Sequence, residues 1–220
     1  MAKKELAKKE LAKITVQIKA PNFQTAQFEI EGTAPFGQHK FSAGTVDTMR
    51  KKQEKGSTAK KGEAREGKDF EAAYIGATYM AKTGEYGINA AAFRCAAISA
   101  CRLCGFKMTL AKLALFVEAD GYDAETGTPL VFITKGKPHM DVRQARNSNG
   151  GMDLRSRPLW NAGWKAKVRI TFDGDIFTQQ DIANLMMRIG QQVGIGEGRP
   201  DSKMSAGIGW GTFKIVGKGE

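Results

Sequence analysis

The sequence is poor in cysteine, and it has no long apolar run. Its 220 residues include 3 cysteines, and no stretch approaches the ~20 apolar residues that a membrane-spanning helix needs. Cys95, Cys101 and Cys104 lie within ten positions of one another, and an odd, clustered set favours reduced thiols in a core over a disulfide framework. The opening sequence MAKKELAKKELAK lacks the apolar centre of a secretion signal. These absences predict a cytoplasmic protein with no membrane role.

Residues suited to catalysis or metal binding are also scarce. Cys101 and Cys104 form a C-x-x-C motif, but zinc takes four ligands, and His39 and His139, the 2 histidines, are distant in sequence. Neither histidine has a neighbouring nucleophile or base, and no Ser-His-Asp or Cys-His pattern is present. The acidic residues of 120–125 do not follow the spacing of a calcium loop. We therefore expect no catalytic residue, no metal and no cofactor.

Basic residues exceed acidic ones and are unevenly distributed. There are 34 Lys and Arg against 23 Asp and Glu, a net charge of +11, and residues 1–68 alone contain 15 basic and 8 acidic residues. A local basic excess suits a polyanionic partner, although it also keeps proteins soluble. A hydrophobic content of 41% excludes a disordered chain and is sufficient for one domain core.

The chain divides into an arm, one domain and a short tail. Residues 1–13 contain KKELA twice, and with few large apolar residues they predict a basic arm, either frayed or a short solvated helix. We expect a single domain over 14–216 and a tail over 217–220. Within the domain, residues 33–69 are rich in Gly, Lys and Ser, and apolar periodicity ceases after Phe41. This composition predicts a long, basic, mobile insertion.

Alternating apolar residues predict several short strands. The predicted strands fall at 14–18, 28–30, 113–117, 131–133, 168–172 and 213–215. The turn-rich sequence GYDAETGTP at 121–129 predicts a hairpin between the third and fourth of these. Residues 143–157 instead appear as a basic, irregular stretch.

Helical spacing predicts a first helix in INAAAFRCAAISACRLCG, at 88–105. Phe93, Ala97 and Cys101 recur at helical intervals, and Gly105 supplies a stop. At ~100° per residue, Arg94 and Arg102 lie about 80° apart, so they can flank one exposed face while the thiols face inward.

A second helix is predicted to begin at Thr178. Thr178 and Asp181 have the spacing of a capping box, and Phe177 and Ile182 that of a hydrophobic staple. Gly194 is well placed to end the helix. The order of strands and helices predicts an α+β fold, in which a ferredoxin-like or RRM-like antiparallel sheet has two helices on one face and a long basic insertion.

Six glycines lie between Gly194 and Gly211, around Arg199, Lys203 and Trp210. Their backbone amides could approach a phosphate chain closely. The alternative is a flexible connector with several positive-φ turns. The loop leads from helix to strand, whereas a Walker loop and a dinucleotide fingerprint both lead from strand to helix. The three tryptophans, Trp160, Trp164 and Trp210, could stack on bases or pack in the core.

Two motifs carry a resemblance to a known family. Gly87-Ile88-Asn89-Ala90-Ala91-Ala92-Phe93-Arg94, with Ala96 and Ala97, resembles the IPGSSLKGALR opening of the first helix in the repeat-associated mysterious protein (RAMP) superfamily, which includes backbone subunits of CRISPR effector complexes. The C-terminal helix, residues 194–211 and the final strand resemble that superfamily's glycine-rich loop, and residues 33–69 fall where its thumb-like insertion lies. The chain is also similar to uncharacterised bacteriophage-encoded proteins that have GIGEGRP followed by a terminal GWGxF segment.

The resemblance implies a ferredoxin-like palm that binds single-stranded nucleic acid along its backbone, often as a helical filament. Arg94 matches the position of the family's Lys in SLKG, which implies a phosphate contact, and Arg199 and Lys203 in the glycine-rich loop imply another. No histidine lies where the processing nucleases of the superfamily have one, which implies the absence of cleavage.

The leading hypothesis is a non-enzymatic, phage-encoded protein that binds single-stranded RNA or DNA and assembles along it as a homo-oligomer or filament. We expect nucleic-acid contacts from Arg94, Arg102, Arg199, Lys203, Arg50, Lys51, Lys52, Lys55, Lys60, Lys61, Arg143, Arg146, Arg155, Arg157 and Trp210. One alternative is a phage structural or assembly subunit whose arm and insertion order against partner subunits. Another is a metal-dependent nuclease that uses carboxylates at 120–123 or Asp47.

Overall fold

A computed structural model describes residues 18–40, 69–146, 152–202 and 207–217, together with residues 44, 47 and 50. The fold is mixed α+β, with one antiparallel sheet of seven strands and another of three, as the sequence predicts at the level of fold class. The strands are β1 (Phe23–Gly32), β2 (Phe36–Gly37), β3 (Gly87–Asn89), β4 (Leu115–Val117), β5 (Gly121–Tyr122), β6 (Pro129–Lys135), β7 (His139–Arg146), β8 (Met152–Trp160), β9 (Lys165–Asp173) and β10 (Phe213–Ile215). The helices are α1 (Phe70–Gly76), α2 (Ala90–Leu103), α3 (Met108–Ala114) and α4 (Gln179–Arg188).

The large sheet is built around β1 and β9. Its strand order is β10-β1-β9-β6-β3, with β4 also paired to β9 and β5 to β6. The pairing of β1 with β9 runs from Phe23 opposite Asp173 to Glu31 opposite Lys165. Strand β1 also pairs with β10, so the first and last strands of the described residues are neighbours. The strands predicted at 28–30, 131–133, 168–172 and 213–215 are confirmed.

Helices α2 and α4 cover one face of this sheet. Phe93 of α2 and Ile182 of α4 are buried in the same core as Ile30, Val168 and Ile170 of the sheet. Burial of this apolar area is the main force that holds the layers together. Within the described residues, no helix is long and apolar enough to cross a membrane.

The thiols of α2 do not all face inward as predicted. The three cysteines are free; Cys101 is buried, whereas Cys95 and Cys104 are exposed. Cys95 lies six positions before Cys101, which places it about 120° away around the helix at ~100° per residue. Cys104 follows the last helical residue as the C-cap, so it lies outside the buried stripe.

The predicted start and end of α4 are confirmed. The Thr178 hydroxyl accepts a hydrogen bond from the Asp181 amide at 3.1 Å, and the Asp181 carboxylate accepts one from the Thr178 amide at 2.9 Å. These bonds satisfy two of the amides that a helix start leaves without partners. The helix continues into a π-helical turn, Ile189–Val193, and ends at Gly194, whose φ is 70°.

Two of the early strand predictions need correction. Leu113 lies in α3, because Ala111 and Ala114 are buried at a helical interval, and the strand begins only at Leu115. Strand β4 pairs with β9, so the hairpin around the turn at 121–129 is formed by β5 and β6 instead. Of the strand predicted at 14–18, Ile18 is exposed and lies in no strand, and residues 14–17 lie outside the described residues.

The described residues of the basic stretch, 143–146 and 152–157, are not irregular. They belong to β7 and β8, the antiparallel strands of a hairpin, which pair from His139 opposite Leu159 to Arg146 opposite Met152. Charged residues on one face of the hairpin obscure the apolar alternation on the other.

The domain also includes the first part of the predicted insertion. Phe36 of β2 pairs with Trp160 of β8, so residues 33–40 pack against the domain. The Lys40 amide donates to the Ala77 carbonyl at 3.0 Å. This bond brings the segment that precedes residues 41–68 next to the helix that follows them. Apart from residues 44, 47 and 50, residues 41–68 lie outside the described part of the chain.

Candidate nucleic-acid interface

A cleft of about 540 Å³ lies between α2, the segment around β2 and the glycine-rich loop 194–211. Much of its lining is apolar and includes Phe36, Ile88, Ala92, Ala96, Ile98, Val193 and Ile195. Its charged lining residues are Arg102, Lys112, Glu197, Arg199 and Asp201. The cleft therefore combines an apolar interior with charged groups from three different segments.

Arg102 and Asp201 join α2 to the glycine-rich loop. The Arg102 guanidinium donates to Asp201 at 2.9 Å, and the Ser99 hydroxyl donates to the other oxygen of the same carboxylate. The Ser99 hydrogen bond is the main reason that the pKa of Asp201 lies below its usual value, and it outweighs the effect of burial. The Arg102 side chain is 59% exposed, and a guanidinium has five N–H donors. Arg102 therefore keeps donors that a ligand can reach.

Arg199 lines the cleft from the glycine-rich loop. Its guanidinium donates to the carbonyl of Gly196, three residues earlier, at 2.9 Å. This bond fixes the side chain against its own loop. The cleft thus brings the predicted residues Arg102 and Arg199 together. Lys203, the third basic residue predicted here, lies outside the described residues.

The described residues of the glycine-rich loop, 194–202 and 207–211, pack against the domain, and the several positive-φ turns predicted for the loop are present. Its six glycines have positive φ, between 67° and 79°. The Gly211 amide donates to the Pro35 carbonyl at 2.7 Å, and the Glu197 amide donates to Gly37 at 2.9 Å. A Cβ on Gly211 would lie 1.8 Å from the Ile195 carbonyl oxygen, a distance that only glycine avoids.

Three predicted arginines lie on the face of the β7–β8 hairpin that meets this loop. Arg143 and Arg155 are opposite each other on the two strands, and Arg157 is opposite Asp141. Arg143 donates to Asp141 at 2.8 Å. Arg157 is 9% exposed and forms an ion pair with Glu197 of the loop.

The arginines of this region lie among carboxylates: Asp141 shares their face of the hairpin, and Glu197 pairs with Arg157. Burial is the main reason that the pKa of Arg157 is lowered; Asp141 opposes this effect, and Arg155 and Arg143 add to it. Burial likewise lowers the pKa of His39 in the adjacent cleft, and Arg155 and Arg157 add to the effect. Burial lowers the pKa of a basic group because it disfavours the charged form.

The three tryptophans, Trp160, Trp164 and Trp210, are buried. The Trp164 indole N–H donates to the Ala34 carbonyl at 3.0 Å. Trp210 is 8% exposed, and the Arg143 guanidinium lies 4.7 Å from its ring centroid. A base could not stack on Trp210 unless the Arg143 side chain moved.

Arg94 does not line the cleft. Its guanidinium donates to the carbonyls of Leu115 and Lys112, at 2.9 and 2.5 Å, and lies 5.1 Å from the Phe116 ring centroid. Cationic side chains commonly satisfy the last carbonyls of a helix in this way. Arg94 therefore stabilises the end of α3, a role that the sequence of α2 alone could not predict.

The opposite face of the large sheet is balanced in charge. Lys167 pairs with Glu29 at 3.1 Å, and Arg169 pairs with Glu118 at 2.9 Å and with Asp120 at 2.7 Å. These pairs neutralise the cationic groups that an RRM-like surface would use. They also occupy Asp120, one of the carboxylates considered for a nuclease.

The other basic residues predicted to contact nucleic acid do not line the cleft or lie outside the described residues. Arg146 is in β7, and Arg50 is described but is not among the residues that line the cleft. Lys51, Lys52, Lys55, Lys60 and Lys61 lie outside the described residues. No group of three or more His, Cys, Asp or Glu in the described ranges is arranged to hold a metal ion.

Some cleft residues were missed by the sequence analysis. His39 lies in a segment distant in sequence from α2, whereas Lys112 lies on α3, the next helix along the chain, and neither belongs to a motif. Asp201 follows GEGRP directly, but its partner Arg102 is 99 positions away. No pattern of neighbouring residues in the sequence predicts that Arg102 and Asp201 form a pair.

Comparison with known proteins assigns no family to this chain. No protein-family model matches it, and no curated protein matches it in sequence. The candidate interface therefore depends on this chain's own residues: Arg102 and Arg199 in the cleft, and the hairpin arginines beside the glycine-rich loop.

Proposed function

We propose that this chain is a non-enzymatic, phage-encoded protein of the cytoplasm. It binds the sugar-phosphate backbone of single-stranded RNA or DNA and assembles along the strand as a homo-oligomer. The observation that carries the proposal is the convergence of Arg102 and Arg199 on one cleft, next to a hairpin face bearing three arginines. Cationic side chains that follow a groove are the common feature of proteins that bind single strands without sequence preference.

The topology supports a ferredoxin-like assignment for the large sheet. The elements β1, α2, β6, β9, α4 and β10 follow one another as β-α-β-β-α-β, and the strand order β10-β1-β9-β6 places the last strand beside the first. The glycine-rich loop joins the second of these helices to the last strand, as in the RAMP superfamily that the sequence resembles. A palm of this kind would present α2 and the loop to the nucleic acid.

The contrast between the two faces of the large sheet favours the cleft as the binding surface. On the face of the large sheet opposite α2 and α4, Lys167 and Arg169 are paired with carboxylates, so an incoming phosphate would have to displace those carboxylates. In the cleft region, Glu197 is held by the buried Arg157, which leaves Arg199 bonded only to a backbone carbonyl among the described residues. Charged donors of this kind contact phosphates without reading bases, so we expect little sequence selectivity.

The proposal is tested by fluorescence anisotropy with labelled 20-nucleotide U and T strands in increasing salt. The logarithm of the association constant should fall linearly with the logarithm of salt concentration, by about 0.7 per phosphate contact on a single strand. Arg102→Gln and Arg199→Gln should each weaken binding and reduce this slope by roughly one contact. Lys167→Gln, on the opposite face, is the matched control and should change neither. Binding that is absent or insensitive to salt would refute the proposal.

An exposed apolar surface favours a second candidate, a phage structural or assembly subunit. Met140, Val142, Met152 and Leu154 lie on the hairpin face opposite the arginines and are between 41% and 63% exposed. Exposed apolar patches commonly mark contacts between proteins. Light scattering with and without oligonucleotide distinguishes the candidates, because oligomers that form equally well without nucleic acid favour the structural subunit.

A further inference from the structure

We infer that the cleft holds one nucleotide of the bound strand, with its base against the apolar lining and its phosphate at Arg102 and Arg199. The inference rests on the proposed function and goes beyond it, because it adds a base-binding pocket to a protein otherwise expected to contact phosphates alone. It also predicts that free mononucleotides bind.

The size and lining of the cleft suit a small, partly apolar ligand. Its volume of about 540 Å³ lies within the range of about 300–1,000 Å³ that is typical of small-molecule pockets. A groove that contacted phosphates alone would need no apolar interior. Here Phe36, Ile88 and Ile195 are each only 1% exposed, so the apolar surface open to a ligand comes mainly from Ala92, Cys95 and Met108. A nucleobase is the flat, apolar-faced part of a nucleotide that such a surface can contact.

The alanine-rich sequence of α2 explains why the cleft is open. Ala92 and Ala96, one helical turn apart, both line it, and their methyl groups leave space that a longer side chain would fill. Ala91, the residue before Ala92, is exposed and does not line the cleft. The same run of alanines therefore supplies both the wall of the pocket and a matched control position.

About half of the residues that line the cleft are polar or charged. Tyr79 and Asn89 are among them, and the Asn89 side-chain oxygen accepts from the Ala91 amide at 2.9 Å, which orients its amide group. Lys112 adds a third cation to Arg102 and Arg199. Apolar surface together with fixed polar groups is the usual composition of a small-molecule site.

The two carboxylates in the cleft do not exclude a phosphate. Asp201 is bonded to Arg102 and Ser99, and Glu197 to the buried Arg157. Their charges are therefore compensated by groups already in place. Lys112 and Arg199 form no ion pair within the described residues, and they remain to meet the ligand.

The test measures binding of UMP, AMP and inorganic phosphate to the full-length protein by isothermal titration calorimetry. We expect UMP and AMP to bind at least tenfold more tightly than inorganic phosphate. Ala92→Phe should weaken mononucleotide binding at least tenfold, and Ala91→Phe should leave it unchanged. Cys95→Phe, at an exposed position that also lines the cleft, should weaken it as well and provides a second variant should Ala92→Phe fail to fold.

The outcomes separate this inference from the proposed function. Equal affinities for inorganic phosphate and mononucleotides, or equal effects of Ala91→Phe and of the folded cleft variants, would overturn the nucleotide pocket. If 20-nucleotide strands still bind in a salt-dependent manner, the proposed function stands without it. If neither mononucleotides nor 20-nucleotide strands bind, both proposals are refuted.

Discussion

The Arg143 guanidinium lies over the Trp210 ring, with 4.7 Å between its central carbon and the ring centroid. This contact joins the β7–β8 hairpin to the glycine-rich loop, across 67 positions of sequence. The ion pair between Arg157 and Glu197 makes a second connection between the same two elements. The arginine-bearing face of the hairpin and the wall of the cleft therefore form one structural unit.

Replacement of Trp210 tests this connection. Trp210→Ala should lower the free energy of unfolding by about 3 kcal/mol or more, because it removes a large buried side chain and leaves a cavity. Arg143→Gln removes the cation–π contact and the half-exposed ion pair with Asp141, and should cost about 1–2 kcal/mol. Ile208→Ala, at an exposed position of the same loop, is the control and should have almost no effect. Urea unfolding followed by circular dichroism measures all three, and equal losses would contradict the role assigned to Trp210.

Substitutions at two glycines of the loop distinguish the cost of a positive φ from the cost of a steric clash. Both Gly209 and Gly211 have positive φ, but a Cβ on Gly209 meets nothing within 4 Å, whereas a Cβ on Gly211 meets the Ile195 carbonyl. Gly209→Ala should therefore cost about 1–2 kcal/mol, the price of a left-handed conformation. Gly211→Ala should cost considerably more, because the backbone must also move. A loop that lacked fixed structure would show equal, small losses in thermal unfolding.

The buried ion pair of Lys40 and Asp123 predicts a pH dependence. Their side chains are 3.2 Å apart, and Asp123 also accepts hydrogen bonds from Thr126 and the Met80 amide. Burial by itself raises the pKa of Asp123, but the hydrogen bonds from Thr126, Met80 and Lys40 outweigh it and hold the pKa below 3.8. The carboxylate therefore stabilises the fold above its unfolded pKa, and this stabilisation is lost as the pH falls through the folded pKa.

Asp123→Asn should thus cost about 2 kcal/mol near neutral pH, since it leaves the partly exposed Glu125, 2.8 Å away, as the remaining acidic partner of the buried Lys40 among the described residues. The difference from the wild type should shrink below about pH 4, where the Asp123 carboxyl of the unfolded chain begins to be protonated. Urea unfolding at several pH values measures this difference. Asp175→Asn, at an exposed position, is the control. A difference that is constant with pH would contradict the assigned role.

The cysteines of α2 provide a footprint of the cleft. Cys95 lines the cleft, Cys104 is exposed outside it, and Cys101 is buried with a pKa raised to about 11 by burial and by Cys104. A bound oligonucleotide should slow the reaction of Cys95 with a maleimide and leave the rate at Cys104 unchanged. Mass spectrometry after digestion distinguishes the two sites. Equal rates at Cys95 with and without an oligonucleotide that binds would place the binding surface elsewhere.

The sequence predicted the elements whose signals are local. The capping box of Thr178 and Asp181, the end of the last helix at Gly194 and the strand around Val168 each depend on residues within a few positions of one another. Hydrogen-bonding and apolar periodicity over such distances are read directly from the chain. The α+β fold class follows from their order.

Features that depend on distant contacts were not visible in the sequence. Arg94 is expected at the phosphates, and the structure adds a hydrogen bond from its side chain to the carbonyl of Leu115, 21 positions away. The basic residues of 143–157 concealed a hairpin, because their charges are stabilised by Asp141 and by Glu197 of the loop. Neither outcome was visible in local composition.

By itself, the sequence determined the start of α4 at its capping box, the end of that helix at Gly194 and the strand around Val168, and it placed glycine at six positions of one loop that all have positive φ. Tertiary structure alone decided which arginines meet at the cleft, that the tryptophans are buried, and that Ala92 faces an open space. The reason is that local conformation depends on neighbours within a turn or two, whereas a site depends on the order in which the sheet brings distant strands together.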